Sequence, residues 1–137
     1  MIKVDESFET LEINGKLFVK ALPSDKLYEK KGALVQFPED EDLQIALIRF
    51  NGQAHCLDNI CPHEHQPKIF EGVIKNGAII CPEHAWTYDI ETGANLNARQ
   101  GRKNLRKYDV FERDGWIYVE KPELRIPKWR APDNDEA

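Results

Sequence analysis

The sequence is short of the features that would place a chain in a bilayer, on nucleic acid or in a disulfide-stapled secreted fold. No apolar run exceeds about five residues, far below the ~20 needed to span hydrocarbon. The first ten residues already hold Asp5, Glu6 and Glu9 and lack the apolar block of a secretory signal. An excess of basic charge is also missing. The 19 basic and 24 acidic residues sum to −5, the wrong sign for a phosphate-binding surface, so nucleic acid is excluded as the main partner and a basic protein is the better complement. Cysteine is scarce and odd in number: Cys56, Cys61 and Cys81 cannot form a disulfide framework. These features predict a cytoplasmic chain with no membrane span, in which closely placed Cys and His point to metal.

What the chain does have is turn chemistry. Asn14-Gly15, Asn51-Gly52, Asn76-Gly77 and Asp114-Gly115 each lie between short apolar or alternating runs, and such dipeptides supply the two positive-φ residues of a type I′ turn. Four hairpins are predicted: Phe8–Ile13 with Lys16–Lys20, Leu43–Phe50 with Gln53–Leu57, Gly72–Lys75 with Ala78–Ile80, and Lys107–Arg113 with Trp116–Glu120. Val, Ile, Phe, Tyr and Trp dominate these runs, which predicts an all-β sandwich or barrel. Helix is limited to one short turn near Pro23–Tyr28, with Ser24 or Asp25 as its cap, because Gly32 follows closely. The acidic run Pro38–Asp42 reads as a solvated loop. After Glu120, prolines and acids predict an extended strap that Trp129 anchors.

Two short segments hold most of the soft-metal ligands: Cys61-Pro62-His63 and Cys81-Pro82-Glu83-His84. Residues 64 to 80 separate them, and the Asn76-Gly77 turn folds that gap back on itself. Two Cys-His fingers can therefore face each other and converge four donors on one site. Thiolate and imidazole select zinc, copper or iron over hard oxygen-seeking cations. A structural zinc site usually takes a C-x₂₋₄-C pair and an H-x₃₋₅-H pair, whereas each finger here contributes one of each. Cys56 sits in a strand and reads as core. Its neighbour His55 falls on the opposite strand face.

The pattern Cys-x-His, seventeen residues, Cys-x₂-His resembles the signature of the Rieske [2Fe–2S] family. The likeness extends through Asp58-Asn59-Ile60-Cys61-Pro62-His63 and through Cys81–Gly93, including Trp86, Tyr88 and Glu91-Thr92-Gly93. It is similar to the small Rieske ferredoxins and to the Rieske small subunit of NAD(P)H nitrite reductase. The resemblance implies a Rieske-type antiparallel β-sandwich carrying a small cluster-binding subdomain of two loops within 58–93. It implies a Rieske domain over 17–120, preceded by an extension at 1–16 and followed by a strap and tail at 121–137. One [2Fe–2S] cluster per chain is implied, with Cys61 and Cys81 on one iron and His63 and His84 on the other. Oxidised, such a centre is formally neutral, while four thiolates would leave it doubly negative, so the histidines raise the potential into a range of about −150 to +300 mV.

The same resemblance predicts where in that range the chain falls. Gln66 and Glu83 stand where high-potential relatives have a loop-bridging disulfide, and Trp86 replaces their sulfide-bonding serine. Tyr88 stands where they have a tyrosine able to hydrogen-bond a ligand thiolate. A potential in the lower half of the range, raised somewhat by Tyr88, is expected. It should fall with rising pH beyond the oxidised-state histidine pKa, because reduction places negative charge beside those imidazoles. His65 and Ala85 replace glycines of the family, and Ala98–Gly101 replaces a proline-containing third loop. The implied function is electron carriage between a reductase and a terminal oxygenase or reductase, with no substrate transformed on this chain. The alternatives are a tightly bound subunit of a larger oxidoreductase such as nitrite reductase, and a structural zinc module. A Rieske oxygenase would need a second iron held by two His and a carboxylate, and only His55 and His65 remain to supply it. Partner contacts are expected around Glu64, His65, Gln66, Glu83 and Trp86.

Overall fold

The computed structural model describes residues 2–60, 67–82, 86–96 and 103–122. They form three sheets. A five-stranded sheet runs in the order β1 (Ile2–Lys3), β4 (Gly32–Gln36), β5 (Gln44–Phe50), β6 (Gln53–Asp58) and β10 (Lys107–Tyr108). A four-stranded sheet runs β11 (Val110–Arg113), β12 (Trp116–Glu120), β3 (Lys16–Pro23) and β2 (Thr10–Ile13). A smaller sheet of β7 (Val73–Lys75), β8 (Ala78–Ile80) and β9 (Thr87–Asp89) completes the set.

All four predicted hairpins form, at β2–β3, β5–β6, β7–β8 and β11–β12. Asn14, Asn51, Asn76 and Asp114 each take φ between 52° and 55°, and the glycine after each is also positive. That is the conformation whose twist matches the flanking strands. The first hairpin's leading strand starts at Thr10 instead of Phe8, and the fourth hairpin's leading strand is interrupted. Lys107–Arg113 does not run as a single strand: Lys107 and Tyr108 pair with Leu57 and Cys56 in the five-stranded sheet, and from Val110 the chain pairs with β12 in the other. Asp109 makes the crossing, its backbone exchanging hydrogen bonds with the Glu120 side chain and backbone while Lys16 Nζ reaches its carboxylate at 2.6 Å. The short helical turn is a single 3₁₀ turn at Ser24–Lys26 capped by Pro23, without a side-chain cap from Ser24 or Asp25. Strands β1 and β4 carry no local turn signal, and β1 joins in parallel at the edge of the sheet. The strap after Pro122, with Trp129, lies outside the described residues.

Alternation along the central strands divides the interior in two. On β5, Ile45 and Leu47 enter one core and Ala46 and Ile48 the other; on β6, Cys56 and Leu57 divide the same way. The first core also takes Val19, Ala21, Ile117 and Val119 from the four-stranded sheet, so it fills the sandwich. The second takes Ile69, Ile79, Cys81, Tyr88, Ile90 and Leu105 and lies under the small sheet. A strand covered on both faces reads as a continuous apolar run, which is why Gln44–Phe50 lacks polar alternation.

Candidate metal centre

The two segments that bracket the predicted ligands are built onto a common support. The first finger leaves the body at the end of β6. Asp58 ties that end to the strand beside it, its carboxylate accepting from Arg106 N at 2.9 Å and from the Tyr108 hydroxyl at 2.7 Å. Asn59 is fully buried, and its carbonyl accepts from Ile69 N at 3.1 Å while its side-chain Oδ1 accepts from Phe70 N at 2.8 Å. The chain that leaves at Ile60 is thus pinned, on its return, by a 3₁₀ turn at Ile69–Glu71.

That same turn abuts the stem of the second finger. At Gly72 a Cβ would lie 2.6 Å from Ile79 Cγ1 and 2.7 Å from the Ile80 carbonyl oxygen, so only glycine permits the approach. Cys81 follows β8 directly and is 1% exposed. Its backbone N–H donates to the Trp86 carbonyl at 2.7 Å, closing the ends of the second finger. Trp86 is half-buried, and β9 then carries Tyr88 into the same core as Cys81, Ile69 and Leu57. Gly93, at φ 79°, lets the following turn press against the Leu105 carbonyl and accept from Leu105 N at 2.8 Å. The Glu91-Thr92-Gly93 segment therefore fastens the small sheet to the rest of the molecule.

Of the predicted ligands, Cys81 is placed here as a buried thiol at the base of its finger; Cys61, His63 and His84 lie outside the described residues, as do Glu64, His65, Gln66, Glu83, Ala85 and Ala98–Gly101. Among the described residues no group of three or more His, Cys, Asp or Glu gathers as a metal site. Cys56 is fully buried in the first core, where burial pushes its thiol pKa far above the usual range and leaves it inert. Sequence reasoning gave no role to Asn59 or Gln44, although both are buried polar side chains and their type was the available signal.

A family model described as the Rieske [2Fe-2S] domain matches residues 18–109. The chain belongs to the Rieske [2Fe–2S] domain family. Its cofactor is a [2Fe–2S] cluster. The anthranilate 1,2-dioxygenase ferredoxin subunit of Burkholderia cepacia is 33% identical over 95 residues, covering 64% of this chain and 86% of that one. Human apoptosis-inducing factor 3 is 33% identical over 76 residues, 56% of this chain, and the chain spans only 12% of that relative's length. The solved structure described as an NADH-dependent nitrite reductase small subunit from Mycobacterium tuberculosis shares the fold at a TM-score of 0.69 and 19% identity, covering 82% of this chain and all of that one. No helix among the described residues is long and apolar enough to cross a membrane.

Cys81, the described member of the predicted ligands, suits this Rieske cofactor. Cys81 enters a low-dielectric pocket of aliphatic and aromatic side chains, where net charge is costly. A centre with two thiolates and two imidazoles is formally neutral when oxidised, and one more electron leaves a single negative charge to accommodate.

Proposed function

We propose that this Rieske chain is a one-electron carrier and not itself an enzyme, accepting an electron from a reductase and passing it to a terminal oxygenase or reductase. Cys61 and Cys81 hold one iron and His63 and His84 the other. Bound there, the cluster supplies a reversible one-electron couple. The chain's own residues supply the support: Asn59 and Gly72 bring the stems of both fingers onto one 3₁₀ turn, and Cys81 enters from the apolar side. That convergence is the observation that carries the reading. We place the partner contacts around Glu64, His65, Gln66, Glu83 and Trp86, the neighbours in sequence of the two histidine ligands. The similarity to a dioxygenase ferredoxin subunit supports the carrier role.

A second reading keeps the same centre in a chain held tightly by a larger oxidoreductase; a nitrite reductase small subunit shares this fold. Purification separates the two: a carrier comes off alone, a subunit with its reductase.

The test is an anaerobic preparation. A red-brown protein with two irons and two acid-labile sulfides per chain is expected, its reduced state showing nitrogen hyperfine coupling, with a potential in the lower half of the −150 to +300 mV range (about). A colourless protein with one zinc and no labile sulfide overturns the proposal. His63→Cys or His84→Cys is expected to lower the potential or lose the cluster, because each adds a negative ligand.

A further inference from the structure

We infer that Asn59 and Gln44 are positioning residues for the cluster: a buried amide relay, running from the loop before β5 to the 3₁₀ turn, sets the path of the first finger. The inference rests on the reading that this finger carries Cys61 and His63. Both side chains are buried, at 0% and 7% exposure. Neither amide is idle. Gln44 Nε2 donates to the Glu41 carbonyl at 2.8 Å, Asn59 Nδ2 donates to Gln44 Oε1 at 2.6 Å, and Phe70 N donates to Asn59 Oδ1 at 2.8 Å.

The relay starts from a fixed point. Asp40 caps its own loop through Asp42 N and Leu43 N, and Phe37 N closes that loop onto the Leu43 carbonyl. Gln44 itself is held in register opposite Gln36. The other end is the turn that carries Gly72 against Ile79 and Ile80, hence the stem of the second finger. A displacement of Asn59 therefore moves one finger relative to the other. Cys61 is two residues beyond Asn59 in the sequence. Apolar residues would fill the same volume without the cost of desolvating two amides, yet would fix no direction.

The test uses the holoprotein. In Asn59→Leu, Phe70 N–H and Gln44 Oε1 both lose their partner; in Gln44→Met, Asn59 keeps its hold on Phe70 but its Nδ2 is unanchored. Val35→Ala, in the first core, controls for loss of stability. The readouts are the rate of cluster bleaching by a chelator at a temperature well below every midpoint, and the g-values of the reduced state. Expected are bleaching at least tenfold faster with shifted g-values in Asn59→Leu, a smaller acceleration of about threefold in Gln44→Met, and less than twofold in Val35→Ala despite an equal or larger drop in thermal midpoint. Equal acceleration in Val35→Ala, or wild-type rates and g-values in Asn59→Leu, overturns the positioning role. Wild-type behaviour of Gln44→Met overturns the relay. Wild-type protein lacking nitrogen coupling would instead refute the ligand reading, so the two failures are distinct.

Discussion

His55 occupies the face of β6 that looks toward the second core, opposite Ile48 and on the same side as Leu57. It is 7% exposed. Burial lowers its pKa, and Lys107 on β10 adds to that; Glu91 in the turn after β9, the Phe50 backbone and Asp89 pull the other way without overcoming it. The folded state thus prefers the neutral imidazole, while the unfolded chain takes up a proton near pH 6.5. The unfolded state binds more protons between the two values, so stability is complete above that pH and falls as pH drops through the window, by at most about 1.4 kcal/mol per pH unit. In denaturant titrations between pH 7.5 and 5, His55→Gln is expected to show a flatter dependence than the wild-type chain. An identical slope would mean that His55 is solvated. The sequence placed Cys56 correctly in the core and His55 on the opposite face, because strand alternation settles both. It could not show that the His55 face is covered, since that depends on a sheet contributed by residues much further along.

At the scale of elements, Arg49 acts as a staple. Its guanidinium, nearly buried, donates from Nε to the Leu27 carbonyl, from Nη2 to the Ser24 carbonyl, and from Nη1 to Gly52 O and to Glu112 at 2.8 Å. It joins β5, the 3₁₀ turn after β3, the β5–β6 hairpin and β11, and so crosses from one sheet of the sandwich to the other. The hydrogen bond from Arg49 holds the Glu112 carboxyl below the usual carboxylate range. Its contribution is therefore present at neutral pH and disappears as pH falls through that lowered value. Glu112→Gln is expected to cost roughly 1–2 kcal/mol at pH 7, after allowance for the partial exposure of Glu112, and almost nothing once the wild-type carboxyl is protonated. Chemical denaturation at both pH values measures the difference. The hairpins were legible because Asn-Gly and Asp-Gly dictate backbone angles locally. The break at Asp109 was not, since Tyr108 and Val110 are equally good strand residues and only distant partners decide which sheet each joins.

The molecule as a whole has two interiors separated by β5 and β6. The sandwich core is closed by the long strands β3, β5 and β12. The second core is closed by three short strands, the 3₁₀ turn and Leu105, and it takes in Cys81. Removing the cluster should thus loosen one interior and spare the other. In hydrogen exchange, chelator-stripped protein is expected to lose protection across 69–90 while retaining it in β3, β5 and β12; uniform loss would show that the two interiors unfold together. The site was readable as a set of ligands because Cys and His at that spacing are chemically distinctive. Its support was not, because Asn59, Gln44 and Gly72 gain their meaning from neighbours that only the folded chain supplies.

The shared wall between those interiors has one more implication. Since Ala46, Ile48 and Leu57 belong to the sandwich strands yet floor the small sheet, the cluster lobe owns no complete shell. A peptide excised from residues 59 to 105 would present a raw oily underside to water, so this lobe cannot be grafted elsewhere as a self-sufficient module unless β5 and β6 travel with it.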